Sequence, residues 1–540
     1  MKKIKLTHLA LFATLTMALT ANAQNSVQFH AKKSALTETE LKRWSHLDLA
    51  KDSIPGMSVD KAYAELLKNK TGQTVIVAII DSGVDIEHED LKSVIWTNKE
   101  EIAGNGIDDD KNGYIDDIHG WNFLGNITKE NLEVSRIVQN KDLVDEATYT
   151  KAKAEYDKKL EEAIQGKKQL SNIMLMLSTA NGKISQHLEK TDYTLDEVNA
   201  IESTDQSIIR SKAIIQQMLS YGYSIPDLKK NIKEEYDSYV KTIANNEVPT
   251  DYRKTLGDNP NDINDKIYGN NNVMGPDKNE ILHGTHVAGI VAQIRNNNIG
   301  GDGVTNNVEI LAVRAVPDGD EYDKDIALGI RYAVDNGAKV INGSFGKSFS
   351  PHKEWVYDAI KYAESKDVLI VHAAGNDSKN IDIEDNFPND SKDKKTEFAN
   401  NMITVGALNY EYGNKIVADF SNYGKINVDV FAPGVKIYAT TPNNEYKYEQ
   451  GTSMAAPNVA GVAALIRSYY PTLSAKQVKQ ILMDSGTTIT NKVITGANKN
   501  EIPFADTCKS GKIVNAYNAL KMAEKLTSKS DNKTKTTKKK

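Results

Sequence analysis

Val75-Ile76-Val77-Ala78-Ile79-Ile80-Asp81-Ser82-Gly83 decides the fold. An unbroken apolar run without alternation reads as a strand buried on both faces, the pattern of a central strand in a parallel sheet. Such a sheet needs helices on both sides, so the chain is α/β. Asp81 falls at the carboxyl end of that strand, where open α/β sheets place their sites. An aspartate before Ser82-Gly83 is equally suited to capping a turn.

Two distant segments bear on that choice. In His283-Gly284-Thr285-His286-Val287-Ala288-Gly289-Ile290 a histidine opens a helix of small and apolar residues. A lone histidine at a helix start is usually an ordinary surface group. In Gly451-Thr452-Ser453-Met454-Ala455-Ala456-Pro457 a serine stands at the mouth of the apolar run Val459 to Ile466, which reads as a buried helix. Backbone N–H groups converge at a helix N-terminus and its dipole favours negative charge. A reaction that makes an oxyanion needs such a place. Taken alone, small residues beside a serine are ordinary helix packing with an N-cap.

Together the segments hold an acid, a base and a nucleophile in the chain order Asp, His, Ser. The blocks AIIDSGVD around Asp81, HGTHVAGI from His283, VINGSFG from Val340, VHAAGND around Asn376 and GTSMAAPNVAG around Ser453 resemble, in that order, the subtilisin family of serine peptidases. The resemblance implies a subtilisin-like doubly wound parallel sheet flanked by helices, acting on proteins or peptides. A serine hydroxyl is a weak nucleophile at neutral pH and needs a base within hydrogen-bond reach. Ser453 is the expected nucleophile, His283 the base, and Asp81 the group that holds the imidazole tautomer. The Ser453 N–H and the Asn376 amide are the expected oxyanion donors. Ser344, Phe345 and Gly346, and Ala373, Ala374 and Gly375, resemble the two walls of the family's specificity pocket. With no charge in those walls, apolar side chains before the scissile bond are expected. His286 matches a structural position. Glu89, after His88, replaces a common proline, and Gly343 replaces a larger apolar residue.

Composition fits an exported enzyme with a large core. The 540 residues are 39% hydrophobic and 26% charged, and the net charge of −6 argues against general nucleic-acid binding. Lys2, Lys3 and Lys5, the apolar stretch Leu9 to Leu19 and Ala21-Asn22-Ala23 read as a signal peptide over 1–23. Its core is too short to span a membrane, and no other run is long enough. The destination is periplasmic, cell-envelope or extracellular. Cys508 is the single cysteine, so no intramolecular disulfide forms. No His-Glu-x-x-His pair occurs, which leaves a zinc or cysteine peptidase without support.

A calcium site is expected in the acidic loop Asn105 to Asp117. Asp108, Asp110, Asn112 and the Tyr114 carbonyl fall at successive ligand positions of an EF-hand-like pattern, with Gly113 at the turn. The last acidic ligand is missing, since His119 stands there, and Asp116 or Asp117 could replace it in a shorter loop. The bland alternative is a solvated acidic loop.

Asp81 and His283 lie roughly two hundred residues apart, far beyond usual loop lengths. Residues 130–250 are rich in Lys, Glu, Ala, Ile and Leu at helical spacing and read as an inserted, mainly α-helical subdomain. Helices are expected over 147–164 and 169–189, a third opened by the capping box Thr194 to Glu197, and a fourth at Ser224-Ile225-Pro226-Asp227. The apolar face at Ile173 to Met176 must be buried against something, whether the fold, a partner or a second copy. Residues 24–70 form a short pro-segment or an arm packed on the fold, too short for a folded pro-domain. The peptidase fold occupies 71–129 and 251–526, and the Lys-rich stretch 527–540 reads as a disordered tail. A non-catalytic partner-binding scaffold and a narrow processing peptidase gated by the insertion are the rival readings.

Overall fold

The structure, a computed structural model, describes residues 29–220, 222–247 and 250–537. The signal peptide expected over 1–23 lies outside the described residues. Among the described residues no helix is long and apolar enough to cross a membrane.

The core is a nine-stranded sheet. In chain order its strands are β1 (Val75–Asp81), β2 (Gly120–Asn122), β3 (Val308–Arg314), β4 (Val340–Gly343), β5 (Leu369–Ala373), β6 (Met402–Leu408) and β7 (Val430–Pro433). Then come the hairpin β8 (Ile437–Thr441) and β9 (Glu445–Glu449), β10 (Thr487–Thr488), the hairpin β11 (Lys492–Thr495) and β12 (Asn500–Pro503), and β13 (Lys512–Ile513). The order across the sheet is β10-β13-β7-β6-β5-β4-β1-β3-β2, and every pairing except β10 with β13 is parallel. β1 therefore lies between β3 and β4, where the winding reverses, and its carboxyl end is the switch point at which such sheets open a crevice.

The alternation hidden in the apolar run of β1 is real. Val75, Val77 and Ile79 enter the core under the helices Leu282–Ala292 and Thr452–Tyr469. Ala78 and Ile80 enter the opposite core, under Asp323–Asp335 and Lys353–Ser365. Both faces are dry, so no polar residue interrupts the run.

Helices at Glu133–Gln139, Glu146–Leu188, Leu195–Asn199, Gln206–Leu219 and Ile225–Glu247 lie between β2 and β3. The two helices expected over 147–164 and 169–189 are one 43-residue helix. The expected break coincides with Gly166, but a Cβ there would lie 2.4 Å from the Tyr239 ring, so this glycine admits the neighbouring helix instead of ending its own. The bundle has its own small core, including Leu177, Ala180, Ile184, Ile215 and Leu219. That stripe runs through Leu177 and its i+3 and i+7 positions. Ile173 and Met174 are therefore only half-buried, and Leu175 and Met176 face solvent at 68% and 46% exposure.

An apolar contact and a buried charge cluster help fasten the bundle to the sheet domain. Val134, Ile137 and Ala152 pack on Phe349. Beneath them Lys347 Nζ lies 2.6 Å from Glu133 Oε2 and 2.9 Å from Asp323 Oδ1, while Arg136 donates to Glu133 Oε2 at 2.6 Å. These charges are almost fully buried, so removing one partner leaves the others unpaired at a cost of about 3–5 kcal/mol.

Segments toward both ends of the described residues join the core. Trp44, Ile54, Met57 and Val59 are buried in it, and the Trp44 indole donates to the Val435 carbonyl at 3.0 Å. At the other end a helix runs from Ala516 to Thr537, where a disordered tail was expected from 527. Ala516, Ala519, Leu520 and Ala523 anchor its first turns in the core. Once nucleated, each further residue adds a hydrogen bond at little cost, so the Lys-rich stretch propagates the helix.

Candidate active site

The carboxyl end of β1 and the starts of two helices meet at one place. Asp81 is 1% exposed, and its Oδ1 accepts from His283 Nδ1 at 2.7 Å and from the Ser82 N–H at 2.7 Å. His283 is the second residue of its helix and stays 40% exposed at the side chain. Gly284 makes that approach possible, since a Cβ there would lie 2.1 Å from the Gly83 carbonyl and 3.1 Å from Asp81. Burial pulls the His283 pKa down, but the charge and hydrogen bond of Asp81 outweigh it and leave it raised above the ordinary imidazole value. With Nδ1–H committed to Asp81, Nε2 presents a lone pair.

Ser453 is the second residue of the helix Thr452–Tyr469, which packs against the His283 helix. Its Oγ donates to the Ser344 carbonyl at 3.3 Å. Pro457 lies one turn on and has no N–H, so the Ser453 carbonyl loses its usual helical donor. The Ser344 hydroxyl supplies one at 2.9 Å and is itself held by the Asn342 amide at 2.9 Å. Thr452 was not singled out in the sequence, yet it orients Asn376. Its N–H and its hydroxyl both donate to Asn376 Oδ1 at 2.9 Å, which leaves Nδ2 without a partner among the described residues. The GTS triplet held the signal, but not the direction in which Thr452 points.

The expected walls line a cavity of about 350 Å³ that reaches Ser453. Phe345, Gly346, Ala373 and Gly375 line it together with Asn376 and Thr452. Ser344 and Ala374 do not. Ser344 turns toward the Ser453 backbone, and Ala374 is buried with its N–H and carbonyl bonded to Val405 and Asn422. Gly343 makes room for the Phe345 ring, which a Cβ would meet at 3.2 Å. Leu132, Val134, Glu155 and Lys159 of the insertion complete the cavity, and nothing in the sequence pointed to them.

The remaining histidines singled out are structural. His286 is buried between the Ile437 and Lys447 carbonyls, both 3.1 Å from Nε2, and burial lowers its pKa to about 4. His88 is buried against the Glu445 carbonyl.

Hydrogen bonds join four residues of the acidic loop, Asp108, Asp110, Asn112 and Asp117. Asp108 and Asp110 each accept from the Asn112 N–H at 3.0 Å, and the Asn112 amide donates to Asp110 and Asp117. Glu101, upstream of the expected pattern, joins them. One oxygen each from Glu101, Asp110 and Asp117 lie within 4.8 Å of one another. The Tyr114 side chain packs on Trp121, Phe123 and Tyr332, while the atom expected as a ligand is its carbonyl oxygen. Asp116 is drawn away to accept from the N–H groups of Gly104, Asn105 and Gly106.

Known proteins share this sequence pattern. The chain is 33% identical to subtilisin-like protease 1 of Plasmodium falciparum over 314 residues, 54% of this chain and 42% of that protein. It is 44% identical to a thermophilic serine proteinase of Bacillus sp. (strain AK1) over 187 residues, 34% of this chain and 42% of that one. It is 39% identical to subtilisin DY of Bacillus licheniformis over 208 residues, 38% of this chain and 71% of that one. The chain thus spans less than half the length of the first two relatives. A model of the subtilase family matches residues 72–504, and the chain belongs to that family.

Proposed function

We propose that the protein is an exported serine endopeptidase that hydrolyses peptide bonds through an acyl-enzyme on Ser453. The observation that carries this is the 2.7 Å bond from His283 Nδ1 to the buried Asp81, which leaves Nε2 free beside the helix that bears Ser453. On this reading the hydroxyl gives up its long bond to the Ser344 carbonyl when it turns to the imidazole. His283 takes the proton and returns it to the leaving amine. The Ser453 N–H and Asn376 Nδ2 receive the oxyanion. Treating the purified protein with a mixed peptide library and a serine-reactive phosphonate tests the reading. Internal cleavage, with labelling confined to Ser453, supports it. A folded protein that does neither is a binding scaffold.

Phe345, Ala373, Leu132 and Val134 give one part of the cavity an apolar surface, beside the charged Asp320, Lys347 and Asp377, and that part suits an apolar side chain before the scissile bond. Glu155 and Lys159, paired at 2.8 Å, bring charge to the same cavity from the insertion. That placement favours a narrow processing peptidase whose insertion restricts what enters. Asn376→Ala is expected to lower kcat by about 100- to 1,000-fold with a smaller change in KM, because the lost donor acts on the oxyanion. Single-turnover and steady-state rates on one peptide check it, and an unchanged kcat would remove Asn376 from the site.

Calcium at the Glu101, Asp110 and Asp117 carboxylates completes the proposal. Hard oxygen donors this close repel one another, the Asn98 and Asn112 amides and the Tyr332 hydroxyl relieve part of that repulsion, and a cation between them would relieve the rest. EDTA is expected to lower Tm by several degrees and added calcium to restore it. A Tm indifferent to both leaves a solvated acidic loop.

A further inference from the structure

A buried histidine holds the Phe345 wall from behind. His372 is the fourth residue of β5 and is 1% exposed. Side chains alternate along a strand, so it shares a face with Ile370, which enters the core under Asp323–Asp335 and Lys353–Ser365. An apolar side chain is the ordinary occupant of such a place. The imidazole instead brings Nε2 to 2.8 Å from the Phe345 carbonyl. A carbonyl only accepts, so Nε2 bears the proton and Nδ1 the lone pair. Nδ1 is buried without a hydrogen-bond partner among the described residues, and burial holds the pKa down to about 4, which keeps the ring neutral. An orphaned buried nitrogen opposes folding, so core packing alone gives no reason for a histidine here.

Gly343 is its counterpart. The two residues pair across β4 and β5. A Cβ at Gly343 would lie 3.2 Å from the Phe345 ring and 3.6 Å from the His372 ring. The Phe345 ring stands edge-on to the imidazole, with centroids 5.9 Å apart. Bulk missing from β4 is thus supplied by β5, whose next residue, Ala373, lines the cavity. The rest of the wall segment is fastened elsewhere. Ser344 is tied to Ser453 through both its hydroxyl and its carbonyl. Lys347 exchanges two backbone hydrogen bonds with Phe387, at 2.9 and 3.0 Å. Between these anchors the Phe345 carbonyl rests on His372.

We propose that His372 is a positioning residue: together with Gly343 it sets where the Phe345 backbone and ring stand, and so how large an apolar side chain the cavity takes before the scissile bond. It acts through Phe345 and not on the reacting atoms. The proposal rests on the peptidase reading for what the cavity holds, but the hydrogen bond and the placement of the ring do not depend on Ser453.

The test compares two peptides that differ only in the residue before the scissile bond, Phe in one and Ala in the other. Wild type is expected to prefer Phe. His372→Leu keeps a side chain of similar volume and removes the donor. Its Phe-to-Ala ratio of kcat/KM is expected to fall roughly 10-fold, mainly through KM, because a displaced wall loses binding to the larger side chain. His372→Gln can place an amide N–H where Nε2–H stands and is expected to recover most of the ratio. Gly343→Ala keeps the hydrogen bond but pushes on the ring, and is expected to lower the ratio too; it decides the matter if His372→Leu does not fold. The rate at which a small fluorophosphonate labels Ser453 is the control for the reacting groups, since that probe carries no side chain for the wall. In parallel, fluorescence anisotropy of peptides ending in Phe or Ala, on Ser453→Ala with and without His372→Leu, reads binding without turnover. A wild type that cleaves both peptides alike, a ratio unmoved in the folded variants, or a Gln variant no better than the Leu one overturns the proposal. So does labelling that falls as far as Phe cleavage. Phe-selective binding that His372→Leu abolishes, without any cleavage by wild type, overturns the peptidase reading and leaves the role of His372 standing. Neither cleavage nor binding overturns both.

Discussion

Ser453→Ala abolishes peptide hydrolysis, with an expected fall in kcat on the order of 10⁶-fold. The size follows from how little else could replace the hydroxyl. Thr452, the neighbouring hydroxyl, is bonded to Asn376 and accepts from the Gly375 N–H at 3.1 Å, so it is held in the oxyanion framework and faces away from the imidazole's task. Ser344 Oγ is committed to the Ser453 carbonyl. Removing the hydroxyl deletes one 3.3 Å hydrogen bond and leaves the backbone network in place, so the fold loses no more than about 1 kcal/mol. The measurement pairs active-site labelling and peptide turnover with a thermal melt. Loss of turnover and labelling with a Tm close to wild type places the chemistry on Ser453. Turnover above one part in a hundred of wild type, in material freed of contaminating protease, would move the nucleophile elsewhere.

The sheet and its switch point were legible because β1 is buried on both faces, and that burial leaves an uninterrupted apolar run. The candidate groups of the site stood out in the sequence because glycine and small residues surround them. Gly284 lets a helix start touch the strand end, and that requirement is written in the chain beside His283. What escaped was set by contacts between distant parts. Glu101 joins Asp110 and Asp117 only after the loop folds back, and the carboxylates carry no periodicity that announces it. Leu132, Val134, Glu155 and Lys159 reach the cavity only because Lys347, Asp323 and Glu133 lock the insertion onto the wall segment. Gly166, which falls in the gap between the two expected helices, has the same limit. A glycine marks either a break or a close approach, and the Tyr239 ring that decides it is supplied from another helix.

Asp81→Asn is expected to lower kcat by about 10⁴-fold while the protein stays folded. An asparagine of the same shape keeps the packing at the end of β1 but reverses the sense of the hydrogen bond. Its amide donates to His283 Nδ1, so the imidazole proton moves to Nε2 and faces the serine it should relieve. The pH profile separates this account from simple loss of stability. In wild type Asp81 holds the His283 pKa above the ordinary value of about 6.5, so kcat/KM rises as pH climbs through a point above it. Without the carboxylate, burial is the dominant influence and depresses the pKa, so the acid limb of the residual activity moves to lower pH. The stability linkage has a definite sign too. A raised imidazole pKa contributes stability that is full below about pH 6.5 and is lost as pH rises through the folded value. Wild type should therefore lose its Tm advantage over the variant across that interval. An acid limb that stays in place in Asp81→Asn would mean that another group sets the His283 pKa, and the 2.7 Å contact would then be structural.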